Sequence, residues 1–195
     1  MRQRKAAAFL LGDNLERTTQ GGGIYTYTSQ QGAAAFRDTG SFDAAGSLSQ
    51  ENAEAFCRDF CKAFSYDTPI FTLDETGSGT ATAVRLWNGT PVFNAAVTFT
   101  IDQGRVLSAS GALLPETGAE TSSGQKPLSA FAALTAFQQM RHASSSVVSS
   151  ITEVSLCYEL QSTTAAPMAL VPSWRIDTDT ATFYVNCISG TVRRA

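Results

Sequence analysis

The chain spells out nearly the same pattern twice, and this limits its folds more than any other feature. A helix pattern opening at Leu48-Ser49 and running through Phe56 precedes strands that close on Val97 to Val106. A second opens at Leu128-Ser129, runs through Phe137, and precedes strands that close on Phe183 to Val192. Phe56 to Phe137 and Gly104 to Gly190 are similar offsets, so the spacing is kept. A recurring helix-then-strands unit is a small α+β module in which one helix covers one face of a sheet. Such modules bind or scaffold more often than they catalyse.

The composition supports a packed core for each copy. The 195 residues are 43% hydrophobic and include twelve Phe and five Tyr. That is ample apolar surface for one or two compact domains, and it is not a disordered composition. Charged residues make up 16%, the net charge is −3, and the fourteen Lys and Arg are scattered. A nucleic-acid binder would concentrate them in a basic stripe. Cys57 and Cys61 lie four apart on the first helix, where the geometry disfavours a disulfide. Cys157 and Cys187 lie on strands of the second copy and could pair if those strands were neighbours. The plainer expectation is four small buried hydrophobes.

At the start, Met1 to Lys5 is basic and Ala6 to Leu11 is apolar. Six apolar residues are too few for a secretory core of roughly 7–15 or a span of about 20. The segment 1–17 is therefore expected to be a short helix. Ile24 to Thr28 and Ala33 to Arg37 form a hairpin across Gln30-Gln31-Gly32. The chain is then expected to pass through a turn at Asp38 to Gly40 and Phe42 to the first main helix. Ser47 stands three residues before Gln50, a capping-box spacing, and Ser49 is a second candidate cap. Ala53, Phe56, Cys57, Phe60 and Phe64 fall on one helical face.

Beyond Pro69 the period changes to two. Strands are expected at 70–73, 82–87, 92–101 and 105–113, with the Asn88-Gly89 hairpin turn between the second and third. Residues 115–125 read as a linker. The second helix begins near Ser129 with Phe131, Leu134, Phe137 and Met140 on its apolar side. Strands at 154–160, 169–176, 181–187 and 191–193 follow. The divisions are thus 1–17, an N-terminal helix; 18–118, a first α+β module with its leading hairpin; and 119–195, a second module.

No arrangement of residues spells out a known chemistry. His142 is the sole histidine and has no Ser or Cys partner in a triad pattern. Cys57 and Cys61 with His142 fall one ligand short of a structural zinc site. Ser123 to Lys126 matches S-x-x-K only formally, because Pro127 follows at once and no K-T-G occurs downstream. Asp177 and Asp179 flank a turn, where Asp is an ordinary residue. Asn88-Gly89-Thr90 fits a glycosylation sequon but is already explained by its turn. No catalytic residue, cofactor site or metal site is therefore assigned, and the chain reads as a non-enzyme. Trp87 and Trp174, one per module, are either core aromatics against the helices or a partner-binding platform on the open sheet face.

A helix opening Leu-Ser and a meander ending aromatic-x-Val-x-x-x-x-Gly-x-Val resemble the PepSY-like module. The matching runs are Val97 to Val106, and Val171 to Ile176 with Phe183 to Val192. Two such modules behind the hairpin Ile24 to Arg37 are similar to the YycI/YycH family over residues 20–195. That resemblance implies two tandem units of a helix on a curled antiparallel meander. It also implies an extracytoplasmic protein held to the membrane by an anchor upstream of this chain, which regulates a sensor histidine kinase by protein contact. It supplies no catalytic residues. PepSY-like modules also occur in protease precursors, so a peptidase inhibitor or propeptide-like protein is the alternative.

Overall fold

The computed structural model describes residues 2–49, 52–115, 124, 126–144, 147–162 and 168–195. The order of elements is α1 (Arg2–Leu11), β1 (Glu16–Thr19), β2 (Ile24–Ser29), β3 (Gly32–Arg37), β4 (Ser41–Gly46), α2 (Ala53–Ala63), β5 (Ile70–Leu73), β6 (Gly79–Trp87), β7 (Thr90–Asp102), β8 (Arg105–Ala112), α3 (Ala130–Ser144), β9 (Ile151–Gln161), β10 (Ala169–Thr178), β11 (Thr182–Asn186) and β12 (Val192–Arg194). Among the described residues the molecule is α+β, with three helices and a large, mostly antiparallel sheet. Among the described residues no helix is long and apolar enough to cross a membrane.

The opening helix is shorter than the expected 1–17. Gly12 takes the left-handed conformation, φ 81°, and its N–H bonds to the Ala8 carbonyl, which closes the last turn. Glu16 to Thr19 then pairs antiparallel with β2 instead of continuing the helix. Ala6, Ala7, Leu10 and Leu11 of α1 are buried in the same core as α2. The short apolar run is thus a core element.

Strand order is β1-β2-β3-β4-β8-β7-β9-β10-β11-β12, with β6 on β7 and β5 on β6. The hairpin β2–β3 occurs as expected. The strand β4 does not follow from the sequence pattern: the chain does not run from the turn directly to the helix but first makes the strand that joins the hairpin to β8. Its residues Ala44, Ala45 and Gly46 have weak strand preference. Burial of Phe42 and Ala44 on one face decides its state.

Helix α2 is also capped differently. Asn52, not Ser47 or Ser49, is its N-cap, and the Asn52 side chain accepts from Ala55 N at 3.1 Å. The Ser49 hydroxyl instead accepts from Val106 N at 3.2 Å, and Gln50 lies outside the described residues. The helix buries Ala53, Cys57, Phe60 and Cys61. Phe60 is the hub of an aromatic cluster, with ring centroids 4.6 Å from Phe64, 5.4 Å from Phe99 and 5.5 Å from Phe9. The guanidinium of the buried Arg85 donates to the Phe64 and Ser65 carbonyls at the end of α2, and Arg2 donates to Phe64 O at 2.9 Å. Cations on the last carbonyls of a helix offset its negative end.

A second core lies under α3, where Ala133 and Phe137 pack on Ile176, Phe183 and Val185. Leu134 and Met140 border it as expected, but Phe131 does not: it is 81% exposed. A third, smaller cluster of Val92, Ala95 and Leu114 lies between the other two.

Candidate functional site

The third cluster marks a joint, and one strand builds it. β7 is 13 residues long. Its register on β6 jumps from Ala96 opposite Val84 to Val92 opposite Arg85, so Phe93, Asn94 and Ala95 have no partner on β6. Such an insertion re-aims side chains. The Phe93 ring stacks on Tyr184 with centroids 3.8 Å apart and an interplanar angle of 14°. The Arg193 guanidinium lies 5.0 Å from the Phe93 centroid and 5.9 Å from that of Tyr184, and it pairs with Glu159 at 3.0 Å. The Asn94 side chain donates to Leu160 O at 2.8 Å and accepts from Leu160 N at 2.7 Å, so it imitates a strand partner. Val92 bridges Tyr158 in parallel, the single backbone pairing of β7 with β9.

The predicted platform residues are separated. Trp87 is half-buried at this joint, beside Tyr158, Leu160, Met168 and Leu170. Trp174 is half-buried against the α3 core, and its indole N–H donates to Leu128 O at 2.9 Å. Each therefore packs locally, and the two do not share a surface cluster.

His142 is exposed in the last turn of α3. Cys57, Cys61, Cys157 and Cys187 are free and buried. The condition for a Cys157–Cys187 bond is not met, because β10 lies between β9 and β11. Burial pushes the thiols of Cys57, Cys61 and Cys157 up to about 12, so none is a thiolate at neutral pH. The Asp179 carboxylate accepts from Ser149 N at 3.1 Å and Ser150 N at 3.3 Å and fastens the segment before β9. Asp177 pairs with Arg175 at 3.0 Å. Asn88 and Gly89 both have positive φ, 49° and 80°, as a tight hairpin turn requires. Ser123 lies outside the described residues. Among those described, no group of three or more His, Cys, Asp or Glu could hold a metal. Among the described residues, shallow depressions of about 500 Å³ lie beside Asn52, Leu73 and Arg105 and of about 250 Å³ beside Arg37, Asp38 and Met168.

The sequence patterns did not point to Phe93, Asn94, Tyr184 or Arg193. One signal was available: Phe93-Asn94 interrupts the alternation of β7, and Asn is depleted in strand interiors, which together suggest an irregular strand.

No family model matches the chain, and no curated protein matches it. Solved structures do. The chain is similar to an uncharacterized protein from Eubacterium rectale, with TM-score 0.51 and 12% identity over 99% of this chain and 76% of that one. It also aligns with the Bacillus megaterium YpeB C-terminal domain, with TM-score 0.45 and 13% identity over 99% of this chain and 95% of that one. At 12% identity the first likeness speaks for the α+β fold alone.

Proposed function

We propose that this chain is a non-catalytic protein-binding module built of two PepSY-like units in series, each a helix on a curled meander. It works outside the cytoplasmic membrane and modulates a membrane sensor histidine kinase by contact with its ectodomain. One observation carries the binding reading. The large apolar side chains Ile70 and Leu73 are left exposed on β5, a strand at a margin of the sheet where backbone groups are open to a partner, and Ile151 and Leu156 are likewise exposed on β9. The four thiols are meanwhile buried, Asp179 fastens a turn and Asp177 is in an ion pair.

The test is direct titration of the purified chain against a sensor-kinase ectodomain and against a peptidase catalytic domain, by interferometry and peptidase turnover. The kinase reading expects saturable binding, with Kd on the order of 1 μM, and unchanged turnover. Stoichiometric loss of turnover would instead establish the inhibitor alternative. Absence of binding to either would overturn the reading.

A further inference from the structure

The β6–β7 hairpin turns on Asn88 and Gly89, and both are exposed. Trp87 and Thr90 pair on either side of them. Both take the left-handed conformation, φ 49° and 80°, which a turn this tight needs. A Cβ built on Gly89 would meet nothing within 4 Å, so solvent reaches the peptide bond between the two. Among the described residues no hydrogen bond holds the Asn88 carboxamide or the Gly89 N–H.

In an Asn-Gly pair the backbone nitrogen readily attacks the preceding side chain, because glycine sets no Cβ in the way. The chain has five Asn, and the other four are guarded. Asn52 accepts from Ala55 N at 3.1 Å, and the Ala53 N–H that follows it is bound to Gly104 O. Asn186 accepts from Ile188 N at 2.8 Å and Ser189 N at 2.9 Å, and the Cys187 N–H is bound to Pro172 O. Asn94 has both ends of its carboxamide on Leu160. Asn14 is exposed, but the branched Leu15 follows it, and the Leu15 N–H is bound to Asp13 O at 3.0 Å.

We infer that Asn88 is a site of covalent modification, deamidation through Gly89, and that its isoaspartyl product loosens the joint between the two cores. The Gly89 nitrogen loses its proton to hydroxide and attacks Asn88 Cγ. The N–Cγ bond forms, the Cγ–Nδ2 bond breaks, and ammonia leaves with a proton from water, which closes a cyclic imide. One water then opens the imide, and no oxidant or reductant takes part. Opening at Cγ leaves an aspartyl side chain on an ordinary backbone. Opening at the Asn88 carbonyl carbon leaves the main chain running through Cβ and Cγ, one carbon longer, with a carboxylate on Cα. A two-residue turn has no room for that carbon, so Trp87 and Thr90 must shift to take it up. Trp87 lies in the cluster at the joint, and Val92, two residues past Thr90, carries the bridge to Tyr158. The inference holds whatever the chain binds.

The test incubates the full chain in heavy-oxygen water at mildly acidic and mildly alkaline pH and maps the label by mass spectrometry. Asn88 should take up label at least tenfold faster than any other Asn, and faster at the alkaline pH. The labelled product should accept a methyl group from an isoaspartyl methyltransferase. Gly89→Ala should cut the uptake at least tenfold. Should that variant disturb the hairpin, Asn88→Gln, whose longer side chain closes an imide far more slowly, should do the same. The isoaspartyl form, separated by ion exchange, should exchange the Leu160 amide at least fivefold faster than the parent. Asn88→Asp carries the new charge on an ordinary backbone and should exchange like the parent. Uptake at Asn88 no faster than at Asn14, or uptake only after urea unfolds the chain, overturns the site. Equal Leu160 exchange in the isoaspartyl form and the parent overturns its link to the joint.

Discussion

Four cysteines in a chain with one histidine are all free and buried, and burial sets the acidity of each thiol. Burial is the leading cause that raises Cys57, Cys61 and Cys157 to about 12 from an ordinary 9.0, and a neighbouring thiol adds to it at Cys57 and Cys157. Tyr66 is raised for the same leading reason, against the opposing pull of Arg85. These groups hold their protons more firmly folded than unfolded. Their contribution is complete below pH 9 and is lost as pH climbs toward 12, because only the unfolded chain ionises in that window. Urea midpoints measured at intervals from pH 7 to 12 should be level to about pH 9 and then fall. In Cys57→Ala/Cys61→Ala the fall should be shallower, although the double variant starts from a lower midpoint. A midpoint independent of alkaline pH would show that these thiols are solvated. At neutral pH a maleimide should label none of the four until denaturant is added.

Among the elements, those whose local pattern and tertiary role agree were legible. The hairpin at Asn88-Gly89, the meander around it and the apolar face of α2 all follow from periodicity, because turn chemistry and burial point the same way there. The misreadings have specific causes. Phe131, Leu134, Phe137 and Met140 look like one stripe, but steps of three residues drift by about 60° each around a helix of 3.6 residues per turn. Phe131 therefore points away from the face that Ala133 and Phe137 bury. β4 was hidden by its small residues, and those residues are needed. Gly32 and Gly46 face each other across β3 and β4 with φ of 151° and 143°. A Cβ on Gly46 would stand 2.0 Å from the Gln31 carbonyl oxygen, a backbone atom that cannot step aside. Gly46→Ala should therefore destabilise the chain by more than about 1 kcal/mol despite lying near the surface, through a positive φ and a backbone clash together. Ala45→Ser, exposed beside it, should change stability by less than about 0.5 kcal/mol. Equal midpoints for the two variants would show that β3 and β4 can separate at that end at no cost.

For the whole molecule, two helix-covered cores meet at a seam that includes, among the described residues, one backbone bridge, one amide side chain, one ring stack and a cluster of three buried residues. The local sequence signals only an irregular strand at Phe93-Asn94 and not the seam itself, because Phe93 and Tyr184 meet only once both cores exist. Its parts differ in weight. The Arg193–Glu159 pair is half-exposed at the arginine and contributes little by itself. The Phe93–Tyr184 stack adds roughly 0.5–1.5 kcal/mol beyond its buried area, and Asn94 satisfies both backbone groups of Leu160, which would otherwise depend on water. Phe93→Ala/Asn94→Ala should therefore leave each core packed while cutting the coupling between them. The parent should unfold in one transition, with Trp fluorescence and far-ultraviolet circular dichroism coincident. The double variant should unfold in two, with the α3 core lost first, because among the described residues its buried cluster has six residues against twenty-four in the other. Trp174 lies in the smaller core and Trp87 at the seam, so a Trp87→Phe background isolates Trp174 and reports the early phase. A single coincident transition in the double variant would mean that the continuous strand order, and not the seam's side chains, makes the two cores fold as one.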